Sequence, residues 1–282
     1  MEISPIIEVD ALLAILSNPN VLIFDVSNHK NAKANFEKAH LERALFVETN
    51  SQLAEIRDDL SGGRHPLPKI ARFAETVTSL GINENSHVVL YDDNGGSNAA
   101  ARFWWMLRSA GHQNVQVLNG GIGEAKRRNF PLATGSEPVR TVSQPYQLKK
   151  WNLPTVEINQ VAIASQDPNY LVVDVRDQQR YDGIAEPIDL IAGHIPGAIN
   201  IPFTENLDAD GLFLNPTALR DKYKAKFGEI RNENIIVHCG SGVTACHTIL
   251  SLEYAGMGIP KLYIGSWSEW SRSNRKIEKK NG

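Results

Sequence analysis

The chain has 282 residues, 42% of them hydrophobic and 22% charged, a composition expected of a soluble globular protein long enough for two domains. A formal net charge of −3 gives no reason to expect nucleic acid or an anionic membrane as a partner. No apolar run approaches the roughly 20 residues that span a bilayer. The acidic N-terminus lacks the basic start and small-residue cleavage site of a signal peptide. Two cysteines are too few for a disulfide framework, so the expectation is a cytoplasmic protein with free thiols.

In chain order, VLIFDV (21–26) reads as a buried strand, because it is a continuous branched apolar run. FEKAHLERALFVE (36–48) follows, with a histidine shortly before a second strand. LPKIARFAETVTSLG (67–81) has helical spacing and a glycine stop. HVVLYDD (87–93) is a third strand, SNAAARFWWMLRSAG (97–111) a second glycine-closed helix, and VQVLNGG (115–121) a fourth strand. The same grammar then returns. YLVVDV (170–175), AGHIPGAINIPF (192–203), PTALRDKYKAKFG (216–228), IIVHCG (235–240), GVTACHTILSLEYAG (242–256) and KLYIGSW (261–267) repeat it in order. Asp25 aligns with Asp174, His40 with His194, Asp92 with Cys239 and Gly120 with Gly265, at offsets between 145 and 154. Such alternation predicts the α/β class: tandem domains, each a mainly parallel sheet flanked by helices, with ligand sites at the strand C-termini. Residues 1–140 and 151–282 are the expected domains. The linker falls at 141–150, within a polar, proline-punctuated stretch (134–154).

Cys239 lies at the C-terminal end of the third strand of the second half, followed by the loop GSGVT and a helix. Gly240 and Gly242 let successive N–H groups turn toward one point, forming a nest for an anion. The helix N-terminus adds positive potential there, so the expectation is a reactive thiolate. The amides of Gly240, Ser241, Gly242, Val243 and Thr244 would also stabilise a terminal sulfur anion carried on the cysteine. Cys246, seven residues on and inside the helix, reads as a small buried hydrophobe. A cysteine phosphatase needs a Cys-x5-Arg loop, and counting from Cys239 puts Ala245 at the arginine position. A metal site from His238, Cys239, Cys246 and His247 is disfavoured, because adjacent strand residues point to opposite faces.

CGSGVTA after a strand, GHIPGA upstream and YIGSWSEW near the end resemble the rhodanese superfamily. More specifically, nearly the whole chain is similar to the tandem-domain thiosulfate and 3-mercaptopyruvate sulfurtransferases. The resemblance implies that Cys239 attacks a small-molecule sulfur donor and becomes a persulfide. Cyanide, a thiol or thioredoxin then removes the sulfur, with no cofactor or metal required. It also implies a catalytically degenerate first domain that shapes the cleft, because Asp92 stands where the cysteine would be. CGSGVT resembles the mercaptopyruvate type, in which Ser241 acts in proton transfer with a histidine matched here by His65. An acidic third partner is matched by Asn50, or by Asp58 or Asp59 under a shifted alignment. Arg180 matches the family's first substrate arginine. The second would follow a Glu-Pro pair, but Glu186–Pro187 is followed by Ile188. Arg176 is a candidate for compensation or for a structural role.

The remaining expectations are plainer. His194 and Pro196 read as architectural, and Phe103, Trp104 and Trp105 as core and interface packing. Trp267 and Trp270 either pack or line the cleft. A protein-to-protein sulfur relay with little small-molecule turnover, and a thiosulfate-preferring enzyme, stand as alternatives.

Overall fold

The computed structural model describes residues 3–57, 61–140 and 144–280, and resolves into two compact units. The first comprises residues 1–55, 68–152 and 210–212, and the second residues 56–67, 153–209 and 213–282. Compactness therefore does not follow chain order at two places. Residues 61–67, which carry His65, belong to the second unit and residues 210–212 to the first, while residues 144–152 close the first in chain order. Of the expected linker 141–150, residues 141–143 lie outside the described residues.

In the first unit the strands are β1 (Ile6–Ile7), β2 (Val21–Asp25), β3 (His40–Leu41), β4 (Ala44–Phe46), β5 (His87–Tyr91), β6 (Val115–Leu118) and β7 (Leu132–Ala133). Five of them form a parallel sheet in the order β1-β6-β5-β2-β4, while β3 and β7 pair antiparallel beside it. In the second unit they are β8 (Thr155–Val156), β9 (Leu171–Asp174), β10 (Ile199–Asn200), β11 (Ile235–His238) and β12 (Lys261–Tyr263). They form a parallel sheet in the order β10-β9-β11-β12-β8. Read from the opposite edge, this is the order of the first sheet, so the repeated sequence builds a repeated topology.

The central strands are buried on both faces, which explains their unbroken apolar runs: Val88, Val89 and Leu90 in β5, and Ile235, Ile236 and Val237 in β11, are all at most 2% exposed. Phe103, Trp104 and Trp105 are fully buried in the helix Ala99–Ala110. Phe103 meets Phe24 and Phe73 edge-on, with ring centroids 6.0 and 6.2 Å apart. The helices predicted at 67–81 and 216–228 form at Ile70–Ser79 and Pro216–Phe227. The second begins with Asn215 accepting from the Ala218 amide and Pro216 in the first turn, a combination that satisfies one orphan donor and removes another. No helix among the described residues is long and apolar enough to cross a membrane.

Candidate active site

Strand β11 delivers Cys239 to the C-terminal edge of the second sheet, and the helix Ala245–Tyr254 begins six residues later. The backbone of Cys239 is fixed on both sides. Its N–H donates to Ser266 Oγ at 3.2 Å, and its carbonyl accepts from the Trp267 amide at 2.9 Å. The carbonyl of Gly240 accepts from the Ser268 amide at 2.8 Å. Gly242 has φ +73°, and a Cβ there would sit 2.5 Å from the Ile264 carbonyl, so only glycine lets the loop lie this close to the end of β12. Among the described residues, the amides of Gly240, Ser241, Val243 and Thr244 donate to no oxygen or nitrogen acceptor. The loop therefore presents backbone donors whose hydrogen-bonding capacity is unspent by protein oxygens and nitrogens. Cys239 itself is buried, 2% exposed, and neither cysteine is in a disulfide.

Ser241 Oγ lies 2.8 Å from His65 Nδ1, although the two residues are 176 apart in sequence. The structure thus brings together the pair expected from sequence. Asp58 and Asp59 lie outside the described residues. Asn50 is in the first unit, where its amide donates to the Glu48 carboxylate at 3.2 Å at the start of a short helix.

An ion-pair network lies beside the loop. Arg180 donates through Nε and Nη2 to Glu186 and through Nη2 to Asp189 at 3.1 Å. Arg64 donates through Nε and Nη2 to the two oxygens of Asp189 at 3.0 and 3.2 Å, a bidentate fork. Arg272 adds a third cation, 3.5 Å from Asp189. Burial opposes the charge of Glu186. The Arg180 guanidinium and the amides of Asp189 and Ile188 outweigh it and hold the carboxyl below its ordinary range. A Cβ placed on Gly240 would lie 3.0 Å from Arg64 Nη2 and 3.3 Å from Arg180 Nη2, so both guanidiniums reach the backbone next to Cys239. Sequence reasoning found Arg180 but missed Arg64, Asp189 and Ser266. The adjacency of Arg64 to His65 was the one available signal.

Arg176 does not reach the loop. Its side chain is 1% exposed, bonded to Asp174, Glu186 and the Gly193 carbonyl, with its guanidinium 4.5 Å from the Trp267 ring centre, so its role is structural. Trp267 and Trp270 are buried and donate to the carbonyls of Ile191 and Lys276. His194 stacks on Tyr181 at 3.8 Å and pairs its backbone with Glu278, an architectural placement. Cys246 is fully buried and donates through its thiol to the Gly242 carbonyl. No group of three metal-ligating side chains assembles among the described residues.

A family model described as Rhodanese-like domain matches residues 8–127 and again 158–273. A Pseudomonas aeruginosa protein named as a probable 3-mercaptopyruvate sulfurtransferase is 35% identical, covering 98% of each chain. The Bos taurus thiosulfate sulfurtransferase is 37% identical over 89% of this chain and 85% of its own. Among solved structures, SseA from Escherichia coli, described as a 3-mercaptopyruvate sulfotransferase, superposes with TM-score 0.79. It is 30% identical and covers 95% of this chain and 100% of its own.

Proposed function

We propose, from the premise that this chain belongs to the rhodanese-like family and is a sulfurtransferase, that it moves sulfur from 3-mercaptopyruvate through a persulfide on Cys239. The observation that carries this reading is the loop 239–244, where a cysteine at a strand end is followed by backbone donors unspent on protein oxygens or nitrogens. In the first half-reaction the Cys239 thiolate attacks the donor's sulfur. An S–S bond forms, the donor's C–S bond breaks, and the electron pair leaves on the methylene carbon as an enolate. The proton that was on the donor's sulfur moves to that carbon, giving pyruvate. Ser241 and His65, 2.8 Å apart, are placed to relay it. The loop amides stabilise the terminal sulfur anion. In the second half-reaction a nucleophile, either cyanide or a thiol such as that of reduced thioredoxin, takes the outer sulfur and regenerates the thiolate. Arg180 binds the donor's anionic end, and the two unbridged thiols suit a reducing cytoplasm. Asp92 at the matching position makes the first domain catalytically degenerate.

A protein-to-protein sulfur relay is the second reading. It is favoured by the exposed apolar side chains Ile184, Ile188, Leu190 and Ile191 around Asp189, which offer a surface for a macromolecular thiol. Intact mass after mixing with mercaptopyruvate or with thiosulfate tests the reading. Wild type is expected to gain about one sulfur atom and Cys239→Ser none. Loading by mercaptopyruvate in preference to thiosulfate supports the donor assignment, and the reverse makes the protein a thiosulfate enzyme. Loading by neither donor leaves only the relay.

A further inference from the structure

We infer that His238 is a positioning residue for sulfur transfer: through the Cys239 carbonyl it fixes and polarises the peptide that carries the first amide of the nucleophile loop. The inference rests on the reading of Cys239 as the sulfur carrier. His238 ends β11 with its side chain fully buried. Its Nδ1 lies 3.3 Å from the carbonyl oxygen of Cys239. A carbonyl oxygen only accepts, so Nδ1 carries the proton. The same oxygen accepts from the Trp267 amide at 2.9 Å. Both of its lone pairs are thus engaged. The Cys239–Gly240 peptide is planar and trans, so the Gly240 N–H points opposite to that carbonyl. Two donors on the oxygen therefore set the direction of the first loop amide. They also draw electron density toward the oxygen, which makes the N–H at the other end of the peptide a stronger donor. Among the described residues that N–H donates to no oxygen or nitrogen, so it is left for an anion on the sulfur.

The first unit supplies the contrast. Tyr91 precedes Asp92 there as His238 precedes Cys239, and the Ile122 amide donates to the Asp92 carbonyl at 3.2 Å as the Trp267 amide does to that of Cys239. Tyr91 turns its hydroxyl elsewhere, accepting from the Leu41 amide at 3.2 Å and bonding the Asp25 carboxyl. Of the two halves, only the one with the nucleophile has a side-chain donor on this carbonyl among the described residues. The surroundings of His238 keep the ring in its neutral, Nδ1-protonated form. Asp174, its register partner on β9, lies 3.8 Å from Nε2, outside hydrogen-bond reach, and is itself bonded by Arg176 at 3.0 Å. Burial, aided by the charges of Arg176 and His194, outweighs the pull of Asp174 and lowers the ring's affinity for a second proton. The Tyr263 ring, 6.2 Å away, completes the titratable groups around it. On the loop side, Gly240 is faced by Arg64, Arg180 and Asp189, which the variants below leave in place.

The test uses the full-length protein with His238→Asn and His238→Gln. Both carry the same amide, but asparagine places its nitrogen where Nδ1 lies and glutamine where Nε2 lies. Sulfur loading from mercaptopyruvate, followed by rapid-mixing intact mass, should stay within about twofold of wild type in H238N and slow by roughly threefold to tenfold in H238Q, the weight of one neutral hydrogen bond. Alkylation of unloaded Cys239 by iodoacetamide gives a readout that a merely structural role would not move. Its rate–pH profile should shift upward by about half to one pH unit in H238Q, the same factor expressed in pH, and keep its high-pH plateau. The H238N profile should overlay wild type. Loading rates and profiles that are the same in the two variants would overturn the positioning role and leave the sulfur-transfer reading standing where wild type loads. If wild type loads no sulfur, that reading falls and the alkylation profiles alone decide the role of His238. Nitrogen-15 NMR of the wild-type imidazole needs no variant. The neutral ring protonated on Nδ1 is expected at pH 7, and a ring protonated on Nε2 alone would overturn the inference even if neither variant folds.

Discussion

The loop after β5 in the first unit and the loop after β11 in the second are built on one plan and filled in opposite ways. Each follows the central strand of a five-stranded parallel sheet, places a positive-φ glycine three residues past the aligned pair Asp92 and Cys239 (Gly95 and Gly242), and runs into a buried helix. In the first, Asp92 turns its carboxylate into the loop. Oδ1 accepts from the amides of Asn94 and Gly96 at 3.0 and 2.8 Å, and Oδ2 accepts from those of Asn98 and Ala100 at 3.1 Å each. In the second, Cys239 stands at the matching position, and among the described residues the amides on either side of Gly242 donate to no oxygen or nitrogen. The first loop carries its own acceptor, the Asp92 carboxyl. The second carries no such acceptor of its own, and on the proposed reading a sulfur anion on Cys239 supplies it. What separates the two loops at this position is one side chain, set in a shared arrangement of inward-facing amide donors.

The sharpest way to break this comparison is to empty the first loop. Asp92→Ala removes the acceptor for four amide donors, and a residue 1% exposed leaves little room for water to replace it. The expected cost is about 4 kcal/mol near pH 5, from several buried donors left unmet. The pH dependence has a definite sign. Burial pushes the Asp92 carboxyl up to about 6, against the opposing pull of the four amides. A group raised in the folded state contributes fully below its unfolded value, near 4, and loses that contribution as pH rises through 6. The gap between wild type and D92A should therefore narrow by roughly 1.4 kcal/mol between pH 5 and pH 8, the rest of the loss falling below pH 5. Urea denaturation followed by tryptophan fluorescence at the two pH values measures it. A gap that widens with pH would mean that the loop needs the charge itself rather than the acceptor.

A smaller effect is expected where the loops differ one turn further on. At the offset that aligns Asp92 with Cys239, Ser241 matches Asn94. Asn94 folds inward, its amide on Asp92 and its side chain donating to Ser97 Oγ, whereas Ser241 reaches His65. Ser241→Ala and His65→Gln should each slow persulfide formation from mercaptopyruvate by roughly 10- to 100-fold in rapid-mixing mass measurements, the weight of a proton-transfer partner. The double variant should be no slower than the worse single one, because the two groups act as a unit. Additive losses would show that Ser241 and His65 serve separate steps.

Much of this contrast was legible in the sequence, for identifiable reasons. Strands β2, β5, β9 and β11 are buried on both faces and so read as unbroken apolar runs, and the near-constant offset between halves exposed the duplication. Cys239 announced itself through its position between a strand and glycines. The two-residue strands β1, β8 and β10 carry no periodicity to detect. The pairing of Arg64 with Asp189 spans 125 residues and exists only because residues 61–67 belong to the second unit, which no local pattern reports. Ile188, read as the loss of an arginine contact, is an exposed side chain. The adjoining Asp189, which gathers three arginines, looked like an ordinary loop acid until its partners were placed. Asp92 was legible as the absence of a nucleophile, but its use as an internal anion depends on amide directions that sequence does not encode.

The last difference between the halves lies where the fourth strand turns into its helix. Gly121 in the first unit has φ +56°, and a Cβ on it would collide with the Asp92 carbonyl. Ser266, at the matching place, has φ +52° although it is not glycine. A side chain in the left-handed region costs of order 1 kcal/mol. What offsets that cost is Ser266 Oγ, which donates to the Tyr263 carbonyl at 2.8 Å and accepts from the Cys239 amide at 3.2 Å. The two halves thus pass the chain through the same backbone angle, one by having no side chain and the other by using the side chain to pin the Cys239 backbone. Ser266→Ala keeps the strained angle and loses both hydrogen bonds, so it should destabilise by about 2 kcal/mol. Ser266→Gly loses the same bonds but relieves the angle, as in the first unit, and should cost about 1 kcal/mol less than alanine. Both should slow sulfur loading at Cys239 by only a few-fold, because the Trp267 amide still holds the Cys239 carbonyl. Alanine proving milder than glycine would show that the serine angle carries no strain, and that the resemblance to Gly121 is one of shape alone.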